Sequence, residues 1–319
     1  MPRQPLALTV IGGFLGAGKT TLLNHWLRST GGRRLAVLVN DFGAINIDAG
    51  LVESAAADMV ALTNGCVCCQ IGDDLTAALI KVLDSPTAFD AVVVEASGVS
   101  DPMRIARFGL AGSDLQLDGV IVLVDASVAF VQASDRLLAD SLERQVASAD
   151  LLVLNKTDIA TAQQLGSARA WLDRIAPRTA RIETTRAAIP MSLLSGPVLD
   201  ALAQPGEAEE PNPSSSGHAG TDHGAHFETW SARPQQVFAA TGLRAWLRAP
   251  PDGVLRLKGF VRTEEFGWSE LQFAGRRGSL RRADVEPASG AAVVAIGVRG
   301  SLPRAALDAA FAAGLAAAA

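Results

Sequence analysis

Residues 13–20, GFLGAGKT, constrain this chain more than any other stretch. The pattern G-x-x-x-x-G-K-[ST] works only where a buried strand delivers the loop and a helix receives it. It therefore dictates a strand–loop–helix unit. The flanks comply: LALTVIG (6–12) is a short apolar run that reads as a strand, and 18–29 reads as a helix. Glycines let backbone N–H groups turn inward around phosphate oxygens without Cβ clashes, and the helix N-terminus adds its dipole. Lys19 can reach the β and γ phosphates of a nucleotide, and the Thr20 hydroxyl can ligate Mg²⁺. The nucleotide-binding set on this segment is Gly13, Gly16, Ala17, Gly18, Lys19, Thr20 and Thr21.

The next 180 or so residues repeat the alternation. Apolar runs at 34–40, 90–96, 118–125 and 149–155 are nearly continuous in Val, Ile and Leu, as strands buried on both faces should be. Helical patterns fall between and after them at 73–83, 134–147 and 161–175. The expected fold is α/β, a mainly parallel sheet carrying a P-loop, over residues 1–203. Composition then changes: 203–226 is rich in Pro, Gly, Ser and acid and almost lacks large apolar side chains, so 204–226 reads as a flexible linker. Beyond it, strands cluster instead of alternating with helices. A strand near 227–231 precedes a helix from Pro234 to about Leu247, then strands near 253–262, 268–274, 278–282 and 291–298 and a terminal helix. Residues 227–319 thus form a smaller α+β C-terminal domain.

Two further stretches bear on the nucleotide. The strand 90–96 ends in Glu95 and runs into ASGVSDP, which suits an acid in the second position at Mg²⁺. Lys19 and Glu95 are accordingly the catalytic candidates, with Thr20 and Glu95 as the Mg²⁺ ligands. The strand 149–155 closes on Asn155-Lys156-Thr157-Asp158. A carboxylate at Asp158 accepts from the N1–H and exocyclic amine of guanine, whereas adenine offers an acceptor at N1. Leaving a buried polar group unpaired costs about 1–3 kcal/mol, so this contact selects GTP. The competing reading makes Asp158 or Thr157 the cap of the following helix. Asn155, Lys156 and Asp158 complete the nucleotide set. No Gln stands in a recognisable water-positioning place, and no Arg can be named as a finger.

All three cysteines lie within four positions, in TNGCVCC (63–69): Cys66, Cys68 and Cys69. An odd, clustered set is no disulfide framework. Metal ligation, a redox switch and plain packing are the three readings. Thiolates favour soft or borderline ions, among which Zn²⁺ and Co²⁺ accept tetrahedral sulfur-rich sites. Asp41, at the end of the strand 34–40, is a candidate further ligand, with Asp48 behind it. His218, His223 and His226 read as solvated residues of the linker. A net charge of −5 argues against a nucleic-acid surface. The N-terminal apolar run is too short for a signal peptide, and no later run approaches a membrane span. The expectation is a protein of the cytoplasm with no membrane partner.

Taken in order, GFLGAGKTTLLNHWL, NDFGAINID (40–48), TNGCVCC, VVVEASGVSDP (92–102) and NKTD (155–158) resemble the CobW-type GTPases, relatives of UreG and HypB. GVLRLKGFV (253–261) resembles the C-terminal domain of that branch. The resemblance implies a GTP-hydrolysing chaperone that binds Zn²⁺ or Co²⁺ through the cysteine loop. It would do so in a nucleotide-dependent way and deliver the metal to a client metalloprotein or metal-inserting enzyme. The C-terminal domain would meet the client, and a homo-oligomer is compatible with the arrangement. The alternatives are a GTPase that remodels or protects a cofactor enzyme without carrying metal, and a thiol redox sensor. A small-molecule kinase fits NKTD poorly.

Overall fold

The computed structural model describes residues 5–30, 33–39, 59–61, 71–86, 88–111, 114–193, 227–283, 286–287 and 290–312. The chain divides into two compact units, Met1–Ser195 and Gly196–Ala319.

The first unit is built on a seven-stranded sheet in which every pairing is parallel. Its strands are β1 (Leu6–Gly13), β2 (Leu35–Val39), β3 (Met59–Ala61), β4 (Ala91–Glu95), β5 (Leu115–Asp125), β6 (Leu151–Asn155) and β7 (Ala180–Glu183), ordered β3-β2-β4-β1-β5-β6-β7. The chain thus builds first to one side of β1 and then to the other. That reversal opens a crevice at the carboxyl end of β1, where open α/β sheets bind ligands. Burial explains the apolar runs: all five residues of β2, β4 and β6 are buried. Leu8, Val10, Val92, Val94, Val122 and Leu154 lie in one core under the helices.

The helices are α1 (Lys19–Arg28), α2 (Ile71–Leu83), α3 (Pro102–Ala111), α4 (Ala129–Ser134), α5 (Ala139–Ser148) and α6 (Ala162–Ile175). Two depart from the sequence reading. The single helix expected over 134–147 is two, α4 and α5, because Asp135 breaks it. Its carboxylate accepts the Leu137 N–H at 2.8 Å and its carbonyl accepts from Leu138 and Ala139, a local turn that competes with the helix. Helix α3 was not foreseen, although its start is well marked. Asp101 accepts the Met103 N–H at 2.9 Å, and Pro102 occupies the first helical position, where a missing N–H costs nothing.

The second unit carries β8 (Phe227–Ala232), β9 (Val237–Phe238), β10 (Arg256–Thr263), β11 (Gly267–Ala274), β12 (Arg277–Arg282) and β13 (Ala292–Val298), with α7 (Ala240–Arg248) and α8 (Arg304–Ala312). The sheet runs β12-β11-β10-β13-β8 with antiparallel neighbours, and β9 pairs in parallel with β10. The helix expected from Pro234 begins instead at Ala240. Val237 and Phe238 are drawn into the sheet against Arg262 and Thr263, and Phe238 is 1% exposed in the core. That core gathers around Phe311 of α8, whose ring lies 5.7, 6.0 and 5.3 Å from those of Trp230, Phe238 and Trp246. The α+β class holds for this unit, and α/β for the first. Among the described residues no helix is long and apolar enough to cross a membrane.

Candidate nucleotide site

The carboxyl ends of β1, β4, β5 and β6 present Gly13, Glu95, Asp125 and Asn155 at one edge of the sheet, because all four strands run the same way. The sequence separates these residues by up to 142 positions; parallel pairing alone brings them together. β1 feeds the P-loop into α1. Gly18 stands at the helix N-cap with φ +106°, and a Cβ there would come within 2.5 Å of Asn155 Nδ2. Only glycine serves at that point. The crown of the loop is open: Leu15 is 75% exposed, and nothing lies within 4 Å of where a Cβ on Gly16 would sit. Such a cradle of backbone around open space, at a helix N-terminus, fits phosphate.

Lys19 is buried in the loop and its ammonium reaches back to the Phe14 carbonyl at 3.4 Å, which holds the charge inside the cradle. Ala17 is buried, while Thr21 is exposed in the first turn of α1. The Thr20 hydroxyl donates to Glu95 Oε1 at 3.2 Å. Two oxygen donors from different elements thus meet beside the loop, and an all-oxygen set fits a hard cation such as Mg²⁺.

Asn155 is 1% exposed and its amide is committed to backbone. Nδ2 donates to the Ala17 carbonyl at 2.9 Å, and Oδ1 accepts the Ala187 N–H at 2.8 Å. It joins the P-loop to the turn that follows β7. Lys156 has φ +62°, and its ammonium pairs with Asp125 at 2.7 Å. Thr157 donates to the Thr184 carbonyl at 3.2 Å. Asp158 is exposed and does not cap α6. The cap is Thr161, which accepts the Gln164 N–H at 3.2 Å while Gln164 accepts the Thr161 N–H at 2.8 Å, a closed capping box. The capping role weighed for Asp158 or Thr157 is therefore filled elsewhere.

Three parts of the site escaped the sequence reading. Asp125 orders Lys156 and also accepts from the Ser127 N–H and hydroxyl at 2.9 and 2.6 Å. The 184–188 turn holds Arg186 and Ala187 at φ +51° and +52°, an uncommon conformation for residues with side chains. No sequence signal marks it. Gln145 of α5 does carry one: it is a polar residue in a stripe that otherwise buries Leu142 and Val146. Its amide accepts the Gly13 N–H at 3.1 Å and donates to the Gly98 carbonyl at 3.0 Å.

Cys66, Cys68, Cys69, Asp41, Asp48, His218, His223 and His226 lie outside the described residues. Among the described residues no group of three or more His, Cys, Asp or Glu side chains is placed to hold a metal ion.

Comparison with known proteins agrees with this architecture. Residues 7–183 match the CobW/HypB/UreG nucleotide-binding domain, and residues 227–315 match the cobalamin synthesis protein cobW C-terminal domain. The chain is 40% identical over 186 residues to the zinc chaperone YjiA of Escherichia coli strain K12, covering 56% of each protein. It is 35% identical over 204 residues to the zinc chaperone CobW of a Sinorhizobium species, covering 55% of this chain and 57% of that one. The chain therefore spans little more than half the length of these relatives. It is also similar to the crystal structure of Zn(II)-bound YjiA GTPase from E. coli, at 24% identity over 98% of this chain and 99% of that one, with a TM-score of 0.40. With both domains matched over most of its length, the chain belongs to the CobW/HypB/UreG family.

Proposed function

We propose that this chain is a GTP-hydrolysing metallochaperone that binds Zn²⁺ or Co²⁺ through Cys66, Cys68 and Cys69 and passes it to a client protein. The observation that carries the nucleotide half is the closure of Asn155 on Ala17 at 2.9 Å. It fixes the segment bearing Asp158 against the phosphate cradle, so base and phosphate recognition form one site. Asp158 is exposed and free of the helix cap, as a carboxylate reserved for guanine should be. Family membership and two relatives named zinc chaperones support the metal half.

In this reading Gly13, Gly16, Ala17, Gly18, Lys19, Thr20 and Thr21 wrap the phosphates, and Asn155, Lys156 and Asp158 form the base side. Lys19 stabilises charge that develops on the β/γ oxygens. Thr20 and Glu95 would hold Mg²⁺, which when bound neutralises phosphate charge. Asp41 would supply a further carboxylate, either to that ion or to the thiol-bound metal. Residues 1–203 form the GTPase domain, 204–226 the linker and 227–319 the domain that meets the client. The cytoplasm, a reducing compartment, keeps the three thiols free as ligands.

The test is Zn²⁺ and Co²⁺ affinity, by competition with a chromophoric chelator, under a GTP analogue, GDP and no nucleotide. Linkage requires that metal tighten GTP by the same factor that GTP tightens metal; a coupling of about 1–3 kcal/mol is roughly 5–150-fold. Cys66→Ser, Cys68→Ser and Cys69→Ser should each remove the tight site and spare GTP binding, since a hydroxyl does not ionise on the metal as a thiol does. Equal metal affinity in all three nucleotide states sinks the switch. Absence of tight metal binding returns the chain to a GTPase acting on a client without cargo.

A further inference from the structure

Gln145 is a buried amide used at both ends, and neither partner is local. It is 1% exposed; Oε1 accepts from Gly13, 132 residues away, and Nε2 donates to Gly98, 47 residues away. The first partner opens the P-loop. The second lies in the turn just after Glu95. One helical turn earlier on α5, the Ser141 hydroxyl donates to the Val99 carbonyl at 3.4 Å, so the helix holds this turn at two points. The turn is closed on itself, with Ser100 N–H on the Ser97 carbonyl at 3.1 Å and the two hydroxyls 2.5 Å apart. Its other side rests on the P-loop crown, where a Cβ on Gly98 would come within 2.8 Å of the Leu15 nitrogen.

A helix position between Leu142 and Val146 would be filled more simply by an apolar side chain, since a buried amide is tolerated only with its partners in place. The two ends of that amide are not interchangeable. The acceptor must face the Gly13 N–H and the donor the Gly98 carbonyl, so one orientation satisfies both. Gly98 is thereby held at a set distance from the backbone that cradles phosphate.

We propose that Gln145 is a positioning residue that ties the Ser97–Ser100 turn to the P-loop and so sets the preference for triphosphate over diphosphate. The inference rests on the GTP-binding reading above. The crown around Leu15 and Gly16 belongs to the part of a P-loop that surrounds the β and γ phosphates, and segments beside a γ-phosphate are those that reorder when it is lost. A turn leaning on that crown feels the terminal phosphate, and Gln145 decides where the turn rests when it does.

The experiment uses the full chain with Gln145→Glu and Gln145→Met. Glutamate keeps the acceptor for Gly13 and removes the donor to Gly98; methionine fills a similar volume with neither. Affinities for GDP and a non-hydrolysable GTP analogue are measured together with kcat, KM and thermal midpoint. Gln145→Glu sets a buried carboxylate oxygen against the Gly98 carbonyl, so its thermal midpoint should fall; the analogue-to-GDP affinity ratio should fall as well, by about 5–30-fold. Hydrolysis should lose kcat more than it gains KM. Equal weakening of both nucleotides, or a lowered midpoint with an unchanged ratio, makes Gln145 a core brace and overturns the proposal. Should neither variant fold, the side-chain amide NMR signal of Gln145 in the parent decides: it must differ between GDP and analogue complexes, and identical signals overturn it. A parent chain that binds neither nucleotide fails the GTP reading itself and this inference with it, a result distinct from parental binding with an unchanged ratio.

Discussion

The side-chain amide of Asn155 donates to the carbonyl of Ala17 across 138 residues of sequence, at 2.9 Å and out of contact with water. The same amide accepts from Ala187. One side chain thus fastens the phosphate loop, the carboxyl end of β6 and the turn after β7 into a single frame.

Asn155→Ala leaves a buried carbonyl and a buried N–H without that partner, which costs about 1–3 kcal/mol for each group stranded. Urea unfolding should shift by that order, and guanine-nucleotide affinity should fall with it. A variant that keeps full stability would show that the frame relaxes without the amide.

Asp158→Asn replaces the carboxylate with an amide that offers a donor to the base. GTP binding should weaken by about 1.5–3 kcal/mol, the range for a hydrogen bond to a charged group. Xanthosine triphosphate, which presents an acceptor at the changed edge, should bind better. Competition of ATP with GTP on equal terms in the parent would refute the guanine assignment.

Lys19→Ala removes the ammonium that sits inside the loop against Phe14. The turnover of GTP should drop by about 10²–10³, the scale seen when a preorganised donor to developing charge is lost. Circular dichroism should be unchanged. Persistent turnover would move the catalytic site away from the P-loop.

Much of this site was legible because each motif sits at a chain position that the fold then aligns. GFLGAGKT follows a strand, NKTD ends one and Glu95 ends another, so parallel pairing brings them to one edge. What escaped notice depends on contacts between distant segments. Gln145 gives only a polar interruption of an apolar stripe, and its partners are 132 and 47 residues away. β7 has one buried residue, Ile182, and so too little periodicity to be read as a strand. Phe238 joins a strand rather than the expected helix because a core position, not local propensity, decides its backbone.

In the second unit, Glu228 accepts from the Leu302 and Gly300 N–H groups at 3.1 and 2.8 Å and from Arg304. These bonds, the Leu302 N–H first, hold its carboxyl below the ordinary value of 4.5. A depressed carboxyl adds stability above its unfolded pKa and loses it as pH falls through the folded one. The thermal midpoint of the parent should therefore exceed that of Glu228→Gln at neutral pH, and the gap should close below about pH 4.5. A gap that stays constant as the pH is lowered would mean the contribution is not ionic.

β8, the first strand of the second sheet, pairs with β13, its last, in a register that sets Phe227 against Val298 and Ala232 against Val293. Trp230 on that strand also needs α8, through its hydrogen bond to Asp308 at 2.8 Å and its ring contact with Phe311. On a ribosome this order has a temporal meaning. The parallel sheet has all its strands once Glu183 is made, whereas β8 must wait for residues more than sixty positions further on before it has a partner. At about 5–20 residues per second the nascent chain carries a finished nucleotide-binding sheet and an unpaired β8 for several seconds. Its exposed edge is the part of the nascent chain most open to wrong pairing.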